Sequence, residues 1–260
     1  MKNNYGDIIT TQLDNFVVQC EISRPPSNFF DFELIKDLAD CFDDLDKSTD
    51  CRSIVLCSEG KHFCAGANFG RSNSIIQQSA DSPNPIYTEA IRLFSCKKPV
   101  IAAVQGAAVG GGFGLALMAD FRIVSPGTRM TANFLKLGFT PGFGLTHTLP
   151  RLIGIQKANL LFMTGRRIKG ETAYEWGLGD VFAEDDKLRE EAINLATEIA
   201  TSAPLALLSL REQMRPGLAE AIKSATDIEG KEQFYLQKTE DHKEGIQSVA
   251  ERRPGNFIGR

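Results

Sequence analysis

The 260-residue sequence contains few histidine, tryptophan and cysteine residues and no excess of basic ones. It has 3 histidines and 1 tryptophan, and its length with only 6 cysteines excludes a small disulfide scaffold. No two of these cysteines form a CxxC pair. Its 29 basic residues are outnumbered by 33 acidic ones, which argues against broad electrostatic capture of nucleic acid or of an anionic membrane. Because histidine is scarce and carboxylates are plentiful, acid–base chemistry would most simply use Asp or Glu.

The N-terminal stretch MKNNYGDIITTQLDNF lacks the apolar segment that secretory signals contain. We therefore predict no signal peptide and a cytoplasmic location. We also predict that the cysteines are reduced and mostly buried, and that the protein has no metal site. All six lie in the first part of the chain: Cys20, Cys41, Cys51, Cys57, Cys64 and Cys96.

Residues 99–119 contain no charged side chain, and this run is long enough to span a membrane. It includes Pro99, Gln105 and five glycines, which are poorly compatible with a continuous helix exposed to lipid. We predict instead a buried strand, a tight turn and the start of a helix, with no membrane association.

Hydrophobic periodicity divides the chain into an α/β part and a helical remainder. Strands are predicted at 8–13, 16–22, 53–57, 100–104, 121–124 and 181–182, and helices at 31–45, 86–94 and 113–118. Further helices are predicted at 151–164, 188–202, 205–214 and 217–250. The alternation of strand and helix indicates crossover connections. We predict one continuous domain, with an α/β core at 1–195 and a helical C-terminal region at 196–260 that assembles subunits.

Two glycine-containing segments follow predicted buried strands, at 60–68 and 106–114. Small residues let a ligand approach backbone N–H groups closely, and a helix that begins at Gly110-Gly111-Gly112 adds its positive dipole end. One N–H group from each segment could hold the oxygen of a polarised carbonyl. The alternative is that the glycines only satisfy tight turns and close helix packing. A dinucleotide site is not indicated, because no GxGxxG pattern is completed.

Short motifs follow one another along nearly the whole chain. They are RP (24–25) followed by Asn28, IVL (54–56), FCAGA (63–67), KPVIAAVQG (98–106), GGG (110–112), ADFR (119–122), LG (137–138), PRLIG (150–154), TGRR (164–167) and WGL (176–178). In kind and in order, these motifs resemble the crotonase (enoyl-CoA hydratase/isomerase) superfamily. The resemblance implies a crotonase (ClpP/crotonase-like) spiral of repeated ββα units, with a helical C-terminal region that forms homotrimers or hexamers. It also implies an acyl-CoA thioester as substrate, with coenzyme A entering only as part of that substrate and no separate cofactor.

The resemblance assigns site residues by motif position. It implies that the backbone N–H groups of Ala67 and Gly111 form an oxyanion hole that stabilises a thioester enolate. The residues implied to contact the substrate or its CoA portion are Cys64, Ala65, Gly66, Asn68, Gly110, Phe134 and Arg252. Asn68 stands where the family usually has Asp, a change that we expect to alter a loop hydrogen bond rather than the fold.

The carboxylates that similar enzymes use are missing from this sequence. The two glutamates of similar hydratases map to Gly114 and Phe134, and the aspartate of dienoyl-CoA isomerases maps to Gly142. Hydration of an enoyl thioester needs a base and an acid, each worth about 10²- to 10⁴-fold in rate. We therefore expect an atypical reaction, such as C–C bond cleavage, hydrolysis or decarboxylation.

Thr146 and His147 are the candidate replacements for the missing acid and base, because they follow a segment that borders the acyl pocket in the family. His147 could act as a base near neutral pH. The alternative is that both lie on a helix surface. Phe134, Phe139 and Phe143 predict an apolar pocket that favours a bulky acyl group and disfavours water.

Two alternatives to an enzyme remain at this stage. The chain could be a non-catalytic protein that binds CoA thioesters or serves as a scaffold, which turnover of an acyl-CoA would exclude. RNA binding has little support, because a net charge of -4 and the lack of a basic helix leave nothing obvious to neutralise phosphates.

Overall fold

The computed structural model describes residues 2–68 and 79–260. In these ranges the strands are β1 (Asn4–Tyr5), β2 (Ile8–Gln12), β3 (Val17–Ile22), β4 (Ser53–Ser58), β5 (Val100–Ala103), β6 (Ala107–Val109), β7 (Phe121–Val124), β8 (Arg129–Thr131), β9 (Arg167–Lys169) and β10 (Val181–Phe182). The α-helices are α1 (Phe32–Lys47), α2 (Pro85–Phe94), α3 (Gly111–Met118), α4 (Leu145–Thr164), α5 (Gly170–Glu175), α6 (Leu188–Ala200), α7 (Pro204–Met214), α8 (Leu218–Leu236) and α9 (Glu240–Ala250). A 3₁₀ helix covers Phe134–Leu137.

The larger sheet has the strand order β1-β2-β3-β4-β5-β7-β10. The first three strands pair antiparallel, and from β3 to β10 all pairs are parallel. Buried residues fill β4 and β5 on both faces, which is the pattern of central strands covered on both sides. A smaller sheet of β6, β8 and β9 lies apart from it, with β6 and β8 parallel and β8 and β9 antiparallel.

Helices cover both faces of the larger sheet. On one face, α1 buries Leu34, Leu38 and Phe42 in the main hydrophobic cluster, together with α2 and α3. On the other face, α6 packs a stripe of small residues against the sheet, where Ala192 and Ala196 meet Val55 and Ile101. Alanines allow the helix axis to approach the strands closely, so the sheet is enclosed from both sides.

The main predictions of the sequence are confirmed, with differences at particular elements. The run 99–119 forms the predicted buried strand (β5) and helix start (α3) rather than one helix, and the short strand β6 lies between them. The strands β6, β8 and β9 were not predicted, because three residues carry no usable periodicity and their pairing is set by distant parts of the chain. The helical stretch predicted at 217–250 is divided in two, since the side chain of Thr239 accepts a hydrogen bond from the backbone N–H of His242 (3.1 Å) and begins α9.

The predicted helical character of the C-terminal region is confirmed. Residue 195, the predicted end of the core, lies inside α6, which packs on the sheet. In this single chain no residue of α7 is buried, and the helix exposes Leu205, Leu210 and Met214. The predicted role of this region in forming trimers or hexamers stays a prediction.

Within the described residues, no single helix has the length and apolar character needed to cross a bilayer; α6 and α7 reach that length only as a pair bent by 107°. All six cysteines are buried and unpaired by disulfides, as predicted.

Candidate active site

A cavity of about 330 Å³ lies where the two glycine segments meet the helices α2 and α8. Most of its wall is apolar or bare backbone, and Arg167 contributes the sole charged side chain among the described lining residues. The lining consists of Phe29, Phe30, Ala65, Gly66, Ala67, Ile86, Tyr87, Val109, Gly110, Gly111, Asn133, Phe134, Leu137, Phe139, Gly142, Phe143, Arg167, Gln233 and Val249. Such a concave, mostly apolar space with a few polar groups is typical of a small-molecule site.

The backbone N–H groups of Ala67 and Gly111 belong to residues that line this cavity. Their neighbours are already hydrogen-bonded: Gly110 N–H donates to the Thr131 carbonyl (2.9 Å), and the Gly66 carbonyl accepts from Phe30 N–H (3.1 Å). Among the described residues, no protein acceptor is recorded for the N–H of Ala67 or of Gly111. Gly111 is the first residue of α3, where a helix leaves its N–H groups without an internal partner.

Close contacts leave no room for a side chain at the first two residues of α3, Gly111 and Gly112. A Cβ atom on Gly111 would lie 2.1 Å from Cζ of Phe30, and one on Gly112 would lie 2.2 Å from the carbonyl oxygen of Cys64. Both distances are shorter than any tolerated contact. The glycine turn therefore places bare backbone at the cavity and packs α3 tightly against the segment that ends at Ala67.

The structure places six of the predicted site residues on the cavity wall: Ala65, Gly66, Ala67, Gly110, Gly111 and Phe134. Asn68 instead lines a neighbouring open cleft together with Arg24 and Phe30. Arg252 is exposed just beyond α9 and does not line the cavity, although Val249 of that helix does.

The predicted substrate contact of Cys64 does not fit its position. Its backbone N–H donates to the Ala107 carbonyl (3.0 Å) and its carbonyl accepts from Val109 N–H (3.0 Å), so both groups are used in pairing with β6. Its side chain is fully buried, and burial raises the pKa of the thiol to about 12. Cys64 thus holds the two glycine segments together and does not line the cavity.

Thr146 and His147 do not line the cavity either, which corrects the prediction that they replace the missing acid and base. Thr146 is exposed at the start of α4, and its Oγ1 donates to Oε1 of Glu229 (2.5 Å). His147 is half-buried beside Arg151, and burial together with the Arg151 charge lowers the pKa of the imidazole. Both residues lie on the surface of α4, as the alternative interpretation predicts.

Comparison with known proteins identifies the family. Residues 12–260 match the family model described as enoyl-CoA hydratase/isomerase. This chain belongs to the enoyl-CoA hydratase/isomerase family. It is similar to a probable enoyl-CoA hydratase of Bacillus subtilis (strain 168), with 33% identity over 254 residues that cover 96% of this chain and 98% of that protein. The predicted membership of the crotonase superfamily is therefore confirmed.

Other relatives cover the same length. A 1,2-epoxyphenylacetyl-CoA isomerase of Escherichia coli (strain K12) is 28% identical over 262 residues, covering 98% of this chain and 99% of that protein. The crystal structure of an enoyl-CoA hydratase/isomerase from Pseudoalteromonas atlantica T6c has a TM-score of 0.87 at 26% identity and covers 97% of this chain and 100% of that one. The predicted crotonase fold is confirmed by this likeness.

This chain has Gly114, Phe134 and Gly142 at the three positions where the resemblance implies carboxylates in related enzymes. A Cβ atom on Gly114 would lie 2.9 Å from Cδ1 of Phe143, so the Phe143 ring occupies the space of a side chain there. Phe134 packs edge-on against Phe139 with ring centroids 5.6 Å apart. The predicted apolar character of the pocket around these phenylalanines follows from this packing.

The third position, Gly142, leads to a polar group that the sequence did not reveal. A Cβ atom on Gly142 would lie 1.9 Å from Oη of Tyr87 and 2.7 Å from Nε2 of Gln233. Tyr87 Oη donates to Gln233 Oε1 (2.6 Å), and Gln233 Nε2 donates to the Thr140 carbonyl (2.8 Å). Tyr87 and Gln233 are 146 residues apart, so no local pattern in the sequence brings them together.

A buried carboxylate lies one helical turn from Gln233, at Glu229. Its Oε2 accepts from Gly144 N–H (2.8 Å), and its Oε1 accepts from Thr146 N–H (3.0 Å). Glu229 thereby caps the N-terminus of α4 from a different helix, where a negative charge is favourable. It anchors the segment that carries Gly142 and Phe143, and it does not line the cavity itself.

Burial raises the pKa of Glu229, although the hydrogen bonds from Thr146 and Gly144 act in the opposite direction. Because the pKa is higher in the folded than in the unfolded chain, the folded state holds the proton more tightly. The resulting stabilisation is complete below the unfolded pKa of about 4.3 and is lost as the pH rises through the raised value. At pH values above the raised pKa, the ionised Glu229 carboxylate lowers the free energy of unfolding, because burial disfavours its charge.

We expect Glu229→Gln to remove this pH-dependent contribution to the free energy of unfolding. Urea unfolding of both proteins from about pH 4 to about pH 8 measures it, since a tenfold difference in proton affinity between the folded and unfolded chain corresponds to about 1.4 kcal/mol. Glu232→Gln is the matched control, because Glu232 is exposed on the same helix, and it should keep the pH profile of the wild type. Identical pH profiles for Glu229→Gln and the wild type would contradict the raised pKa of Glu229 in the folded chain.

Proposed function

We propose that this chain is an acyl-CoA enzyme that holds the thioester oxygen between the N–H groups of Ala67 and Gly111 and forms an enolate without a carboxylate base. Family membership supports the acyl-CoA substrate. The two N–H groups, which have no recorded acceptor within the described ranges, support the oxyanion hole. In a site that excludes water, two such donors stabilise a developing enolate oxygen by a few kcal/mol.

The observation that carries the proposal is the lack of an acid or base of the usual kind. No Asp, Glu or His occurs among the described residues that line the cavity. Residues 69–78, which lie outside the described ranges, contain none in their sequence. Hydration needs a group that activates water, and the described wall offers none. A reaction in which the substrate itself supplies the electron pair fits this cavity better.

Decarboxylation of a 2-carboxyacyl-CoA is such a reaction, and it is the one we favour among C–C cleavage, hydrolysis and decarboxylation. The bond between Cα and the carboxylate breaks, its electron pair enters the enolate, and CO₂ leaves. Only stabilisation of the enolate and a later proton donor are then required. The exposed guanidinium of Arg167 on the wall would attract the anionic substrate toward the cavity.

A substrate panel tests the proposal. We expect the purified protein to release CO₂ from malonyl-CoA or methylmalonyl-CoA without releasing free CoA thiol, and to leave crotonyl-CoA unhydrated. Hydration of crotonyl-CoA at ordinary enzyme rates of about 1 to 10³ per second would show that the argument from the missing carboxylates is wrong. Tight binding of the thioesters with no turnover of any of them would favour the non-catalytic binding protein instead.

A further inference from the structure

We infer that the hydroxyl of Tyr87 is the proton donor to the enolate carbon, and that Gln233 is the positioning residue that orients this hydroxyl. The inference rests on the proposed enolate chemistry and adds the acid that this chemistry requires. It assigns two residues that no motif of the sequence singled out.

The position of Tyr87 relative to the oxyanion hole is the first observation. Tyr87 and Gln233 line the same cavity as Ala67 and Gly111. Besides Tyr87 and Gln233, the described wall carries only the side chains of Asn133 and Arg167 as hydrogen-bonding groups. An amide does not give up a proton at neutral pH, and a guanidinium keeps its proton in proteins. The tyrosine hydroxyl is therefore the acid that this wall provides.

The hydrogen bonds of Gln233 define how the hydroxyl is held. Because Gln233 Nε2 donates to the Thr140 carbonyl (2.8 Å), the amide presents its oxygen to Tyr87. Tyr87 Oη donates to this oxygen at 2.6 Å. Gln233 thus holds the hydroxyl oxygen at a fixed place on the cavity wall. The proton that Gln233 accepts there passes to the enolate carbon when the bound enolate replaces Gln233 as its acceptor.

The surroundings keep Tyr87 in its neutral, proton-bearing form. Burial raises the pKa of Tyr87 well above its usual value, and the negative charge of Glu229 acts in the same direction. Bulk water at neutral pH therefore does not remove the proton before the substrate reacts.

The proposed step balances in atoms and charge. After CO₂ has left, the electron pair of the enolate forms a new C–H bond with the proton of Tyr87 Oη, and the O–H bond of Tyr87 breaks. The phenolate then takes a proton from water. The net change replaces the carboxylate of the substrate by hydrogen and consumes one proton from solvent.

The test follows decarboxylation of methylmalonyl-CoA in D₂O, which gives propionyl-CoA with one deuterium at C2. We expect the wild type to give one configuration at C2, because the donor lies on one side of the enolate. Tyr87→Phe should lower kcat by about 10²- to 10⁴-fold with little change in KM. Its residual product should contain both configurations, since water can protonate the enolate from either side.

The variant Gln233→Ala tests whether Gln233 acts by holding the Tyr87 hydroxyl. It leaves the Tyr87 hydroxyl in place but without a fixed direction, so we expect a lower kcat, an unchanged KM and a partial loss of the single configuration. Tyr235→Phe is the matched control, because Tyr235 is exposed on α8, the helix that carries Gln233. It should behave as the wild type, and thermal unfolding curves verify that all variants fold.

Two results would overturn the inference in distinguishable ways. If the wild type releases CO₂ and Tyr87→Phe keeps its kcat and its single configuration, the assignment of Tyr87 is wrong while the proposed function stands. If the wild type releases no CO₂ from any 2-carboxyacyl-CoA, the proposed function fails and the inference fails with it.

Discussion

Replacing Gly111 by proline is expected to lower kcat for the acyl-CoA reaction by about 10²- to 10³-fold, the usual effect of removing one oxyanion donor. Proline has no N–H, yet it is well tolerated at the first residue of a helix, which Gly111 occupies. Once room is made for the added ring atoms, the loss should therefore come from the missing hydrogen bond to the thioester oxygen rather than from a broken helix. Steady-state kinetics of the purified variant measure it.

The control must account for the side chain that any substitution adds. A Cβ atom on Gly111 would lie 2.1 Å from Cζ of Phe30, so the comparison belongs in a Phe30→Ala background that makes room. In that background, Gly111→Ala and Gly111→Pro both add a Cβ atom, and only the alanine variant keeps the N–H. Equal kcat values for these two double variants would exclude the Gly111 N–H from the oxyanion hole.

Replacing Asp120 by alanine is expected to reduce the free energy of unfolding by up to about 3 kcal/mol, the lower end of the range for a buried ion pair, because the side chains of Asp120, Arg211 and Arg215 are still 11–15% exposed. Asp120 Oδ1 contacts Nη1 of Arg215 (2.9 Å) and Oδ2 contacts Nη2 of Arg211 (2.9 Å). Oδ2 also accepts from Val100 N–H (2.8 Å). Its loss leaves two poorly solvated guanidinium groups and one strand N–H without their acceptor.

Asp227→Ala provides the comparison for this effect. Asp227 pairs with Lys223 one turn away on α8, and both side chains are more than half exposed. Removing this surface pair should change stability by no more than about 0.5 kcal/mol. Urea unfolding of the two variants measures the difference, and a similarly small change for Asp120→Ala would contradict a structural role for the cluster that ties α7 to β5.

The backbone part of the candidate site could be predicted from the sequence. The segments 60–68 and 106–114 follow the buried strands β4 and β5, and small residues in both segments indicate close approach of a ligand. Local sequence is sufficient there because a glycine turn and a helix start are made by consecutive residues. The prediction that Gly114 and Phe134 stand at the glutamate positions of similar hydratases came from the order of the motifs along the chain.

The side-chain part of the site could not be predicted in this way. Thr146 and His147 are close to the pocket along the chain, but the geometry of α4 turns them to its surface. Tyr87 and Gln233 come from helices far apart in the sequence and meet only because α2 packs on α8. Such pairs are set by helix packing, which leaves no periodic signal in either segment.

The sequence by itself determined the family and the α/β core, because these depend on residue order and on hydrophobic periodicity. Only the tertiary structure decided which side chains pack against two of the glycines: Phe143 beside Gly114, and the Tyr87–Gln233 pair beside Gly142. The physical reason is close packing. Where a residue has no side chain, the volume is filled by whichever distant group the fold brings near.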